Sequence, residues 1–227
     1  MIHYINDILK PEELEQVRAT LAQAQFADGT ATAGWHAREV KKNLQLTAGS
    51  EGHEEAARVV NTAIMRDRVF LSAVRPRYVM PILFNRHETG MTYGAHVDAP
   101  IMPSGANVPT HIRSDVSFTL FLSDQASYQG GELVIAWGGI EYAFKMPAGT
   151  LVFYPSSTLH RVNPVTDGVR LAAVSWVQSE IRDTDQRAIL FDLDRAHRNV
   201  FTKDGKTETF DLLAKTHANL VRMWAEL

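Results

Sequence analysis

Between Val116 and Val177 the chain offers strand-length apolar runs separated only by turns. The runs are Val116–Leu122, Glu132–Ala136, Ile140–Lys145, Thr150–Tyr154 and Arg170–Val177. The turns are Gly130-Gly131, Trp137-Gly138-Gly139, Pro147-Ala148-Gly149 and Asp167-Gly168. None of the intervals carries the helical periodicity of the crossover helix that a parallel pair needs. Short strands so spaced predict antiparallel sheets folded into a double-stranded β-helix, or jelly roll.

The flanks are helical. Pro11 suits a first turn, and Glu12, Glu13 and Glu15 suit its positive end. Leu14, Val17 and Leu21 follow at helical spacing. Glu54–Phe70 repeats the pattern with Ala57, Val60 and Ile64, and Glu208–Leu227 with Leu212, Leu213, Leu220 and Val221. The fold class is therefore mainly β with flanking helices. N-terminal helices pack on the sheet within residues 1–178, and a helical appendage covers 179–227. That appendage covers an open sheet face or forms a homo-oligomer interface, and an exposed Trp224 would favour the second role. Pro81 predicts an edge or a bulge in the strand Tyr78–Phe84, and Ala99–His111, rich in Pro, Gly, Ser and Asn, reads as a loop and candidate lid.

Tyr93-Gly94-Ala95-His96-Val97-Asp98 carries the chemistry. Side chains repeat every two residues on a strand, so His96 and Asp98 face one side. His160, after the turn at Ser157-Thr158, supplies a third donor. Two imidazoles and one carboxylate on one face of an octahedron leave three open positions, the arrangement of non-haem Fe(II) oxygenases and unlike a closed structural zinc site. Arg170 opens an apolar strand, where an unpaired cation is costly, and guanidinium suits a bidentate carboxylate. Ser117 and Thr119 alternate with large apolar residues, leaving open whether they meet a co-substrate or solvent. Thr119 and Tyr93 are taken as co-substrate contacts. Gly90 and Gly94 read as turn residues, His53 and His87 as surface histidines, Trp35 as a packing residue, and His111 as solvated or substrate-facing.

In these residues the chain resembles the PKHD-type hydroxylases, a bacterial branch of the Fe(II)/2-oxoglutarate dioxygenases related to prolyl hydroxylases. The match runs through Phe84-Asn85-Arg86, Tyr93–Ala99, Arg113-Ser114-Asp115, Thr119–Ser123, Gly130–Ile135, Tyr154–Ser157 and Leu159–Val162. The resemblance implies His96, Asp98 and His160 as iron ligands and Arg170 as the 2-oxoglutarate anchor. It also implies Fe(II), 2-oxoglutarate, O2 and L-ascorbate as cofactors, with succinate and CO2 as co-products of hydroxylation. It places Trp35 or Asn43 near the active-site mouth, and it suggests a role in iron or siderophore physiology.

A net charge of −3 argues against a nucleic-acid partner. No run of about twenty apolar residues offers a membrane span, and the N-terminus lacks a signal-peptide pattern. The absence of cysteine excludes disulfides and thiolate ligands and fits a cytoplasmic setting. The expected partner is a small-molecule or peptide substrate. Two other readings share the three ligands: a non-catalytic iron or 2-oxoglutarate sensor, and a cupin-like metal hydrolase. The hydrolase gives Arg170 no purpose, and the long loop after Asp98 favours a substrate over the sensor.

Overall fold

The computed structural model describes residues 2–47, 49–50, 52–103 and 111–226. Two antiparallel sheets face each other. The larger runs His3–Ile5, Leu151–Pro155, Val116–Phe121, Arg170–Ser179, Leu83–His87, Leu44–Leu46 and Phe26–Asp28, with Pro76–Val79 also paired to Arg170–Ser179. The smaller runs Ile140–Phe144, Leu133–Trp137, His160–Val162, Thr92–His96 and Lys41–Lys42. The hairpin Leu133–Trp137/Ile140–Phe144 closes through Gly138 and Gly139, both at positive φ, as a two-residue primed turn demands.

Helices α1 (Pro11–Gln23), α2 (His53–Arg66) and α3 (Arg68–Val74) cover the outer face of the larger sheet. Val17, Leu21, Val60, Ile64 and Phe70 pack there against Phe84, Phe118, Leu120, Leu151 and Phe153. Phe70 meets Phe118 and Phe153 edge-on, with ring centroids 6.1 and 5.6 Å apart. Every residue of Val116–Phe121 is buried, because helices close one face and the smaller sheet the other. Val116, Phe118 and Leu120 point into the helix-side core, which leaves Ser117, Thr119 and Phe121 for the interior between the sheets.

Helices α4 (Thr184–Asp204) and α5 (Glu208–Trp224) follow, with Gly205 at positive φ ending the first. Ser72 donates to Asp194, 2.7 Å away, tying α4 to α3. The tail is held by an Ile181–Ala225 bridge and by Arg113 on Glu226 at 2.9 Å. No residue of α5 is buried, Leu212 and Met223 are exposed, and Trp224 is half-buried.

Local physics revises several expectations. The helix predicted over Glu54–Phe70 is two, broken at Asp67, whose carboxylate accepts from Phe70 N at 2.8 Å and restarts the helix. The strand expected over Tyr78–Phe84 is interrupted at Pro81, which has no amide proton to give the ladder. The loop after Asp98 carries a ribbon, Ile101–Pro103 against His111–Arg113, and residues 104–110 of the proposed lid lie outside the described residues. His53 is buried, with Nε2 3.0 Å from the Ile82 carbonyl.

Phe118 sits at the centre of the helix-side core. Phe118→Ala is expected to destabilise the fold by about 3–5 kcal/mol in urea denaturation, and a loss below about 1 kcal/mol would be incompatible with this packing.

Candidate metal centre and its cavity

A β-bulge sets the site. His160 pairs with His96 and Val162 with Tyr93, so the single residue Arg161 opposes two, Gly94 and Ala95. The extra residue breaks the alternation and turns both Tyr93 and His96 inward. Gly94 lies in this strand and not in a turn, correcting the sequence expectation. A Cβ there would lie 2.7 Å from Val40 Cβ, so only glycine allows the backbones this close. His96 ends the strand, and Asp98 follows just past it.

Donor atoms of His96, Asp98 and His160 all lie within 4.8 Å of one another. Nδ1 of His96 is 2.8 Å from the Gly94 carbonyl, and Nδ1 of His160 is 3.0 Å from that of Thr158. A proton on each Nδ1 makes these hydrogen bonds and leaves each Nε2 an unprotonated donor. His160 Nε2 stands 3.7 Å from Asp98 Oδ2. Ser117 donates to that same oxygen at 2.6 Å, and the Ser156 hydroxyl lies 2.7 Å behind Ser117. Burial, then the neighbouring His160, hold the His96 imidazole below its ordinary range. These are ligand-ready donors with outer hydrogen bonds in place, so the set fits a divalent metal with open positions.

The donors border a cavity of about 550 Å³ between the sheets. Ser117 and Thr119 both line it, which resolves the open question of their face. Tyr93 stacks on His96 with centroids 3.6 Å apart, and burial followed by the Asp98 charge pushes its phenol up. Arg170 is fully buried, its guanidinium 5.2 Å over the Phe121 ring, and its Nε and Nη2 have no partner among the described residues. Gly131 makes room for it: a Cβ there would come within 3.0 Å of Arg170 Cδ.

Sequence reasoning missed part of this cavity. His87, expected at the surface, is buried directly across the ladder from Arg170, and both ring nitrogens lack partners among the described residues. Burial, then the charges of Arg170 and Lys41, push it well below the usual histidine range, so it stands neutral. The signal was the alternation Leu83, Asn85, His87 along one strand, all three lining the cavity. Lys41, also lining, is buried, with desolvation pulling its ammonium down to about 8 despite Asp28 and Asp98. Trp35 does not pack: it is 84% exposed, edge-on to His36 at the cavity rim. Asn43 is buried against Gly29 and is not among the lining residues. His111 lies in the ribbon beyond the mouth and outside the donor cluster.

Known proteins resemble the chain over its full length. Residues 82–178 match the 2OG-Fe(II) oxygenase superfamily, and residues 184–226 match the PKHD-type hydroxylase C-terminal domain. A PKHD-type hydroxylase of Gloeothece citriformis is 50% identical over 226 residues, covering 100% of both chains. One from Synechococcus elongatus is also 50% identical with the same coverage. Among solved structures, a prolyl hydroxylase from Trichoplax adhaerens in complex with a hypoxia inducible factor peptide superposes with a TM-score of 0.54. It is 18% identical, covering 83% of this chain and 86% of its own. HygX from Streptomyces hygroscopicus, solved with nickel, 2-oxoglutarate and hygromycin B, gives 0.55 at 12% identity, covering 77% and 81%.

Two outcomes are expected. Ser117→Ala removes the hydroxyl that orients Asp98 and should weaken Fe(II) or Co(II) binding about 10- to 100-fold in anaerobic titration, with the fold intact. Lys41 binds its proton less tightly folded than unfolded, so between about pH 8 and about pH 10.5 the unfolded state holds more protons and stability rises with pH. Lys41→Met should therefore raise the melting temperature at pH 7, and the gain should shrink as the pH passes through that window.

Proposed function

We propose that this chain, which belongs to the PKHD-type hydroxylases of the 2OG-Fe(II) oxygenase superfamily, hydroxylates a compact substrate at a C–H bond. In that reading His96, Asp98 and His160 hold Fe(II), and Arg170 holds the far carboxylate of 2-oxoglutarate. The family uses Fe(II), 2-oxoglutarate and O2. The bound metal supplies oxygen activation coupled to oxidative decarboxylation, giving succinate and CO2.

One observation carries the reading. Two Nε2 donors and a carboxylate come together, while a fully buried guanidinium whose Nε and Nη2 have no partner among the described residues lies in the same cavity. A buried, unpaired guanidinium is expensive unless a ligand anion meets it. A cupin-like hydrolase would need the three donors but not Arg170.

The chain's own groups have separable tasks. The Gly94 and Thr158 carbonyls hold the two imidazoles in one tautomer. Ser117 holds Asp98. Phe121, lying under the guanidinium, keeps water from that side of Arg170, which strengthens its charge pairing with a ligand anion. A role in iron or siderophore physiology belongs to the same proposal and rests on the family resemblance.

The test is anaerobic. Fe(II) and 2-oxoglutarate added to apo-protein should give a weak visible charge-transfer band that His160→Ala abolishes. Arg170→Met should keep Fe(II) affinity and weaken 2-oxoglutarate by at least about 2 kcal/mol, some thirtyfold in Kd. Unchanged 2-oxoglutarate affinity would remove Arg170 from the role. Tight zinc binding with no band would favour a hydrolase.

A further inference from the structure

The cavity holds a second buried cation that the reaction above leaves unused. Lys41 is 6% exposed on the edge strand of the smaller sheet. It pairs across the ladder with Tyr93, so both side chains share the inner face. Its ammonium lies 5.2 Å over the Tyr93 ring, and that ring stacks on His96. Two ring contacts thus separate Nζ from a metal-side imidazole. Its hydrogen-bond partner among the described residues is a neutral hydroxyl, Thr32 Oγ1, at 2.9 Å. Thr32 in turn lies 2.5 Å from Gln45 Oε1, which accepts its proton and turns the hydroxyl lone pair toward Lys41. An ammonium has three donors, and this arrangement uses one.

Among the described residues no carboxylate forms an ion pair with Lys41, although Asp28 and Asp98 act on it at longer range. An inward charge on an edge strand can discourage edge-to-edge pairing. Lys42, exposed on the same edge, already does so. Lys41 is instead aimed at ligand space and kept there at a cost.

We propose that Lys41 receives a carboxylate of the substrate, so that the substrate class is a compact monoanionic carboxylate on an aliphatic body. The assignment rests on the hydroxylase reading, in which Arg170 is committed to 2-oxoglutarate. A single ammonium with Asp98 nearby matches a monoanion better than a dianionic phosphate, which would add repulsion from Asp98. The aliphatic body follows from the mouth, where Met80, Val97, Ile101, Met102 and Trp176 line the approach. Val97 and Ile101 are 40% and 55% exposed there, apolar surface that an aliphatic body would cover. The desolvated Lys41 ammonium gains most from a charge-assisted hydrogen bond in such a setting.

The experiment uses the full-length chain with Fe(II) and saturating 2-oxoglutarate, without oxygen. The probes are straight-chain carboxylates from butanoate to octanoate and their primary amides, which share a body and differ in charge. Calorimetry reads binding, and the charge-transfer band reports whether 2-oxoglutarate stays in place. The wild type should bind at least one carboxylate about tenfold or more tightly than its amide. Lys41→Met should lose that preference, and Lys41→Arg should keep it. Thermal melts check that both variants fold.

Equal binding of acid and amide by the wild type would overturn the proposal. So would a preference that survives in Lys41→Met, or loss of 2-oxoglutarate affinity in Lys41→Met comparable to Arg170→Met, which would make Lys41 a co-substrate anchor. Absence of the band with the carboxylate preference intact counts against the hydroxylase reading and in favour of the Lys41 site.

Discussion

The bulged pairing of Thr92–His96 with His160–Val162 is the constraint on which the site depends. An unbroken ladder would send Tyr93 and His96 to opposite faces, since they are three residues apart. The bulge turns both inward and frees the Gly94 carbonyl to hold His96 Nδ1. Its partner strand supplies His160 directly opposite His96, with ring centroids 4.3 Å apart. One irregular ladder thus delivers two imidazoles and the ring that covers one of them. Val40 makes the close approach with Gly94, so the segment leading to Lys41 is packed onto the same irregularity.

The second constraint is double burial of the larger sheet. Helices press on Phe118 and Phe153, and the opposite faces of those strands become the cavity floor. Polar groups there need partners at short range. Ser117 finds Asp98 and Ser156. Arg170, His87 and Tyr128 leave buried polar atoms unpartnered among the described residues. Other such atoms lie elsewhere in the fold, but those of Arg170, His87 and Asn85 border one cavity, where a ligand can complete them.

Much of this was legible in the chain. The short runs after Val116 specify antiparallel sheets, because no helical pattern intervenes between them. His96, Asp98 and His160 stand out because a short triplet and a distant histidine match a three-donor face, and Arg170 because a cation opens an apolar strand. What stayed hidden depends on three-dimensional context. His87 follows Arg86 in a polar stretch that resembles a surface turn, and only pairing with Arg170 buries it. Lys41 sits beside Lys42, and sequence cannot tell which lysine of an edge strand points inward. His53 has the polar flanks of an exposed helix start, yet packs edge-on to Phe84, 5.9 Å away. The break at Asp67 was visible in principle, since Asp is a helix-capping residue three positions before Phe70, but continuous helical periodicity masked it.

Charge balance joins the two cation assignments. Arg170 and Lys41 rest on different rings, Phe121 and Tyr93, with neutral His87 feeling both. A divalent metal, these two cations and Asp98 together leave three positive charges for ligands to meet. A dianionic co-substrate accounts for two. The proposed monoanionic substrate would account for the third and bring the filled cavity to neutrality, the condition under which low-dielectric burial is least costly. A neutral substrate would leave the Lys41 ammonium uncompensated, and a dianion would leave an excess negative charge facing Asp98. Under the two proposals, electrostatics would select among substrates before shape does, through a residue that need not touch the metal.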